Sequence, residues 1–231
     1  MNWLRRLRDA PVTGALIAAN LLVYLVMVLV SGQVTFESGT LIAAGASVSS
    51  GGAEVMTHWR WLTAAFIHAN LLHIIMNLWV LGQIGALSEK ALGSGLIAAT
   101  YLVTGVLGNV LSTVHGAPGP GKSLSVGASG AIMGLIGMAA TFAWRTGQRR
   151  AAKVLALNVL FVLGVGLSLT ASGKSLIDNA AHIGGLVAGV VIGFVRAAIP
   201  RPTPRWLDVT AIVASFALAA IAFGVVVLAG A

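Results

Sequence analysis

The chain has 231 residues, of which 58% are hydrophobic and 9% charged, with a mean hydropathy of +0.95. Soluble domains carry about a quarter charged residues, so a soluble enzyme or binding module is excluded and a polytopic membrane protein is implied. The net charge of +8 raises nucleic acid as a partner, but the cations flank apolar runs rather than forming a patch, and the absence of cysteine removes disulfides, thiolate metal sites and a cysteine nucleophile.

A hydrocarbon core about 30 Å thick needs about 20 mostly apolar residues per helix. The runs 12–30, 62–84, 96–114, 127–144, 154–170, 177–195 and 209–229 meet that need. They predict an all-α bundle of seven spans joined by short connections. With the N-terminus in the cytoplasm and the sides alternating, the inner side holds Arg5, Arg6, Arg8, Lys90, Arg145, Arg149, Arg150, Lys153, Arg196, Arg201 and Arg205, and the outer side only Arg60, Lys122 and Lys174. That asymmetry is the positive-inside pattern, so the basic charge sets topology and no nucleic-acid partner is expected.

Residues 1–11 read as a basic cytoplasmic leader. The first run is long for a signal peptide and no small-residue cleavage site follows it closely, so it is expected to stay as an anchor helix. The long outer loop 31–61 is rich in Gly and Ser and ends in Trp59-Arg60-Trp61, a headgroup-level aromatic anchor of the kind that Trp3, Trp144 and Trp206 offer on the inner side. In the second span His73 and Asn77, four apart, share a helix face, whereas His68 falls well round the axis. His68 reads as a hydrogen-bond partner tethering a loop. The Gly/Pro-rich outer loop 115–126 cannot be helical throughout.

The fourth span opens at Ser129, in Gly127-Ala128-Ser129-Gly130, and the sixth carries His182. Small residues recur every four positions at Ala181, Gly185, Gly189 and Gly193, and again at Gly130 and Gly134 with Gly137. Such faces let helices approach closely, so the fourth and sixth spans are expected to pack together. Counted from the inner basic flanks at about 1.5 Å per residue, Ser129 and His182 lie roughly 24 and 21 Å deep, in one layer with His73 and Asn77.

Apart from Asp178 near a helix end, the only groups within the spans that titrate near neutral pH are His68, His73 and His182. Polar groups in a membrane are costly and functional by default. Proton- or ion-coupled transport would call for mid-span carboxylates or lysines, a metalloprotease for His-Glu-x-x-His, and an aspartyl protease for two span aspartates. What remains is a serine with a histidine base. The N–H of Ser129 at a helix start, with the side chains of His73 and Asn77, would supply oxyanion donors. Each residue alone has a plainer reading: a span serine bonds a carbonyl one turn back, and a span histidine can be structural. Asp178 reads as a cap in Ser175-x-x-Asp178 rather than as a third catalytic member.

In combination these pieces resemble the rhomboid family of intramembrane serine proteases, from Trp59 to Gly193: Trp59-Arg60, His68-x4-His73-x3-Asn77, Gly85-x3-Glu89-x3-Gly93, Gly127-Ala128-Ser129-Gly130 and Ala181-His182-x2-Gly185-x3-Gly189. The resemblance implies a six-helix core over 12–196 around a cavity open to the outer side, with 197–231 as linker and additional seventh helix. It implies Ser129 as nucleophile, His182 as base, and His73, Asn77 and the Ser129 amide as oxyanion hole. Trp59 and Arg60 would belong to an interfacial loop and Glu89 to a structural network at the inner turn. No cofactor is implied, and the substrates would be single-pass transmembrane proteins cut in or near their membrane segment. One departure is Met133, where well-known members place an aromatic four residues after the nucleophile; a thioether can also pack on an imidazole. Two other classes stand beside this reading: a relative that binds membrane clients without cutting them, against which the intact Ser129 and His182 count, and a small-solute transporter. The simplest membrane is a bacterial cytoplasmic one, with the N-terminus inside and the C-terminus outside.

Overall fold

The computed structural model describes residues 8–49, 58–115, 123–172, 177–199 and 204–229. Most of the basic leader, part of the first outer loop, the Gly/Pro-rich segment 116–122, Ser175 and Arg201 lie outside the described residues. In chain order the elements are α1 (Pro11–Ser31), α2 (Ser38–Ala43), β1 (Ser47–Ser49), α3 (Arg60–Thr63), a 3-10 turn (Ala64–Phe66), α4 (Leu71–Leu92), α5 (Ser94–His115), β2 (Ser123–Ser125), α6 (Ser129–Arg145), α7 (Arg149–Ala171), α8 (Asn179–Ala198) and α9 (Arg205–Ala229). Six of them, α1, α4, α5, α7, α8 and α9, are long and apolar enough to cross a membrane. With α6 they match the seven apolar runs, and the protein is an integral multi-pass membrane protein.

At 17 residues α6 is shorter than the rest. From Gly130 to Met138 every residue of it is buried. A helix apolar all round and covered all round sits inside a bundle; α4, α5, α7 and α8 pack about it, α8 most closely. Lipid-facing surfaces lie elsewhere. On α7, Leu160 and Phe161 are 64% and 72% exposed, and this helix meets α6 but barely touches α8.

Close approach of α6 and α8 follows from their glycines. A Cβ on Gly185 would overlap the carbonyl of Gly130, and one on Gly189 the carbonyl of Gly134. Gly137 meets Leu186 and Gly193 meets Met138 in the same seam, so the two small-residue faces read from the sequence pack against each other. Within the bilayer such contact, rather than water exclusion, holds helices together.

Two long-range devices fix the ends. α1 begins with Pro11 and lacks a side-chain cap of its own. Glu89, 4% exposed at the far end of α4, supplies one: its carboxylate accepts the N–H groups of Val12 (2.9 Å) and Thr13 (2.7 Å) and the hydroxyls of Thr13 and Ser94. First-turn amides have no intrahelical partner, so Glu89 joins α1, α4 and α5 at one point. At the other end β1 and β2 pair antiparallel, Ser47 opposite Ser125, tying the segment between α1 and α3 to the one leading into Ser129.

The second apolar run departs from a single helix over 62–84. It breaks after the 3-10 turn, with Ile67 extended, and restarts at Asn70, whose side chain accepts the His73 N–H at 2.9 Å. An asparagine offering its own cap competes with helix continuation. His68 therefore lies on the break and not on the helix, and its angular offset from His73 does not hold.

Candidate active site

Ser129 is the first residue of α6 and His182 lies in the first turn of α8. The His182 Nε2 and Ser129 Oγ atoms are 2.8 Å apart, a hydrogen bond between residues 53 apart in sequence. The glycine seam makes this possible. The carbonyl of Ala181, next to His182, rests where Cβ atoms on Gly108 and Gly130 would lie, at 2.6 and 3.2 Å. Three helices thus converge beside the imidazole.

Among the described residues no carboxylate is hydrogen-bonded to the ring. Asp178 caps α8, one oxygen accepting the Ala181 N–H at 2.9 Å and the other the Ser112 hydroxyl, as its sequence context suggests. The buried Nδ1 of His182 has no hydrogen-bond partner among the described residues. When Nε2 accepts the serine hydroxyl, Nδ1 carries the ring proton.

The loop before Ser129 is shaped by Gly127, at φ +118°. Few L side chains adopt that region, and a Cβ there would stand 2.7 Å from His73 Nε2 and 3.8 Å from Ser129 Oγ. The bare face of Gly127 is therefore where His73 and Ser129 converge. Asn77 donates one amide hydrogen to the His73 carbonyl at 2.9 Å, leaving a second for another acceptor. The Ser129 N–H lacks an i−4 partner, as every first-turn amide does.

His68 is fully buried and holds this loop. Its Nδ1 lies 3.3 Å from the Phe66 carbonyl, and its Nε2 accepts the Ala128 N–H at 3.4 Å. One neutral tautomer satisfies both, and the ring stands edge-on to His73 at 5.0 Å. The break in the helix brings His68 into the cluster. Gly127 N–H also donates to the Ala64 carbonyl at 2.9 Å.

Asn109 is a site-framing residue that the sequence leaves unmarked. It donates to the Trp61 carbonyl and accepts the Ser125 hydroxyl, each at 2.8 Å, pinning the start of α3 to the approach to Ser129. Trp59 and Arg60 sit at that same start, the guanidinium 4.4 Å above the Trp59 ring and bonded to the carbonyls of Ile42 and Ala46. Met133 is 2% exposed and belongs to the main apolar core.

A multi-pass helical bundle with a serine and a histidine hydrogen-bonded inside it defines a narrow class of protein. The Rhomboid domain family matches residues 56–199, and the chain belongs to the rhomboid family. It is 34% identical over 149 residues to RHOMBOID-like protein 6, mitochondrial, of Arabidopsis thaliana, covering 64% of this chain and 46% of that protein. It is 32% identical over 190 residues to the Rhomboid protease GluP of Bacillus subtilis, covering 82% of this chain and 35% of the relative. To Rhomboid-like protease 2 of Toxoplasma gondii it is 34% identical over 185 residues, covering 78% and 62% respectively. The chain thus spans less than two thirds of the length of these relatives.

Proposed function

We propose that this protein is an intramembrane serine endopeptidase that cuts single-pass transmembrane proteins in or near their membrane segment, with Ser129 as nucleophile and His182 as general base. The observation that carries the reading is the 2.8 Å contact between His182 Nε2 and Ser129 Oγ across two helices held by their glycines. Membership of a family that includes proteins named proteases agrees with it.

The steps follow from the geometry. A substrate carbonyl placed over Gly127 meets Ser129 Oγ as the hydroxyl proton passes to His182 Nε2. The oxyanion that forms is met by the Ser129 N–H, the His73 ring and the free amide hydrogen of Asn77. His182 then returns the proton to the leaving amine, and a water activated by the same nitrogen hydrolyses the acyl ester. With no carboxylate on Nδ1 among the described residues, packing rather than an ion pair orients the imidazole. In the proposed orientation the site lies toward the outer side of a bacterial cytoplasmic membrane, with the N-terminus inside.

The test is labelling of the detergent-solubilised protein with a fluorophosphonate, paired with cleavage of a helix-destabilised substrate in reconstituted membranes. Wild type should label and cleave. Ser129→Ala and His182→Ala should lose activity by several orders of magnitude, as members of a nucleophile–base unit do. Cleavage by Ser129→Ala at the wild-type rate would overturn the reading.

A further inference from the structure

The seventh helix, α9, lies outside the matched domain, yet it packs on α3 and α5. Its inward stripe of Ile212, Phe216, Ala219 and Phe223, spaced at three and four residues, meets the main apolar core, whereas Val213, Leu218, Ile221 and Val227 face outward. Its register is fixed at both ends. At the inner end the main chain of Asp208 runs so close to Gly95 that a Cβ there would lie 2.5 Å from its Cα. At the outer end Val226 Cγ2 stands 3.1 Å from where a Cβ of Gly45, at φ +102°, would project.

Between these anchors the Phe223 ring meets the Phe66 ring edge-on at 5.9 Å, and Phe66 also meets Tyr101 at 5.5 Å. Phe66 closes the 3-10 turn whose three carbonyls all serve the site or its frame. Ala64 accepts the Gly127 N–H at 2.9 Å, Ala65 accepts the Tyr101 hydroxyl at 3.0 Å, and Phe66 faces Nδ1 of His68, which in turn holds the Ala128 N–H. Aromatic pairs of this kind, here between the buried Phe66 and the half-buried Phe223, carry more than their area and fix orientation.

We propose that Phe223 is a positioning residue: through Phe66 it fixes the 3-10 turn on which the Gly127–Ser129 loop rests, so the seventh helix is part of the active-site frame. The proposal rests on Ser129 being the nucleophile, as proposed above. It distinguishes α9 from a lipid-facing appendage, whose loss would leave the serine equally reactive.

The experiment is the second-order rate constant for fluorophosphonate labelling of the full chain, measured with the thermal unfolding midpoint of each variant. Phe223→Ala should slow labelling of folded protein roughly tenfold to hundredfold, the scale on which small misplacement of reacting groups acts. Phe223→Leu, which keeps most of the bulk, should restore most of the rate. Ile212→Ala, on the same stripe but about 16 Å along the helix, should lower the midpoint yet label at the wild-type rate. Phe66→Ala should add little to Phe223→Ala, since coupled residues are non-additive; should Phe223→Ala not fold, Phe223→Val and Phe66→Val give the same cycle. Wild-type labelling by Phe223→Ala, or slowing in Ile212→Ala in step with lost stability, would overturn the positioning role and leave the nucleophile intact. Failure of wild type itself to label would instead overturn the serine reading and the positioning role with it.

Discussion

Gly127 and Gly147 both hold positive φ, at +118° and +82°, but only Gly127 has neighbours where a side chain would project. An alanine at either position costs backbone strain of about 1–3 kcal/mol. At 127 its methyl would also press on His73 Nε2 and occupy the face where the substrate carbonyl is proposed to sit. Gly127→Ala should therefore abolish fluorophosphonate labelling, whereas Gly147→Ala should lose stability alone, a contrast read by labelling alongside a thermal melt. Equal labelling of the two would remove Gly127 from the site. Ser129 and His182 are legible in the sequence because the spans hold so few ionisable groups, and because counting from the basic flanks sets depth without knowing the packing. His68 is only partly legible and Asn109 not at all. Their partners, Ala128 and Ser125, lie 60 and 16 residues away, and nothing in local periodicity records a bond across such a gap.

Among the helices, the α6–α8 seam is where small side chains matter most. Gly189 faces the Gly134 carbonyl across the seam, while Gly164 on α7 has open space around it. Gly189→Ala must drive the helices apart, with a cost of about 1–3 kcal/mol for overpacking. It should also weaken the Ser129–His182 contact, because that distance is set by the same seam. Gly164→Ala should be neutral or stabilising by up to about 1 kcal/mol, the difference in helix propensity. Thermal unfolding together with labelling checks both, and an unaffected Gly189→Ala would mean that the seam does not set the helix spacing. The seam is legible because its four-residue period survives in a uniformly apolar sequence. The break after Phe66 is hidden for a converse reason. Residues 62–84 remain apolar through the turn, and in lipid hydropathy reports depth but not whether the backbone continues as a helix.

Over the whole molecule, the existence of seven spans is legible in the sequence, but the seat of α9 is not. Lipid is as apolar as a helix partner, so an apolar stripe facing α5 and an apolar stripe facing lipid read alike; contacts such as those of Asp208 with Gly95 and Val226 with Gly45 distinguish them, and those are tertiary facts. Orientation rests on charge. The proposed topology puts the α6–α7 turn, with Arg145, Arg149 and Arg150, on the cytoplasmic side, and the segment before α2 outside. Because the chain has no cysteine, single cysteines report sidedness without background. Glu37 and Gln148 are both exposed, at opposite ends of the bundle in this topology. Glu37→Cys should react with a membrane-impermeant maleimide on intact cells, and Gln148→Cys only after permeabilisation. The reverse pattern would place Gly127 and Ser129 toward the cytoplasmic side, and substrates would then have to be sought among proteins whose membrane segments are reached from within.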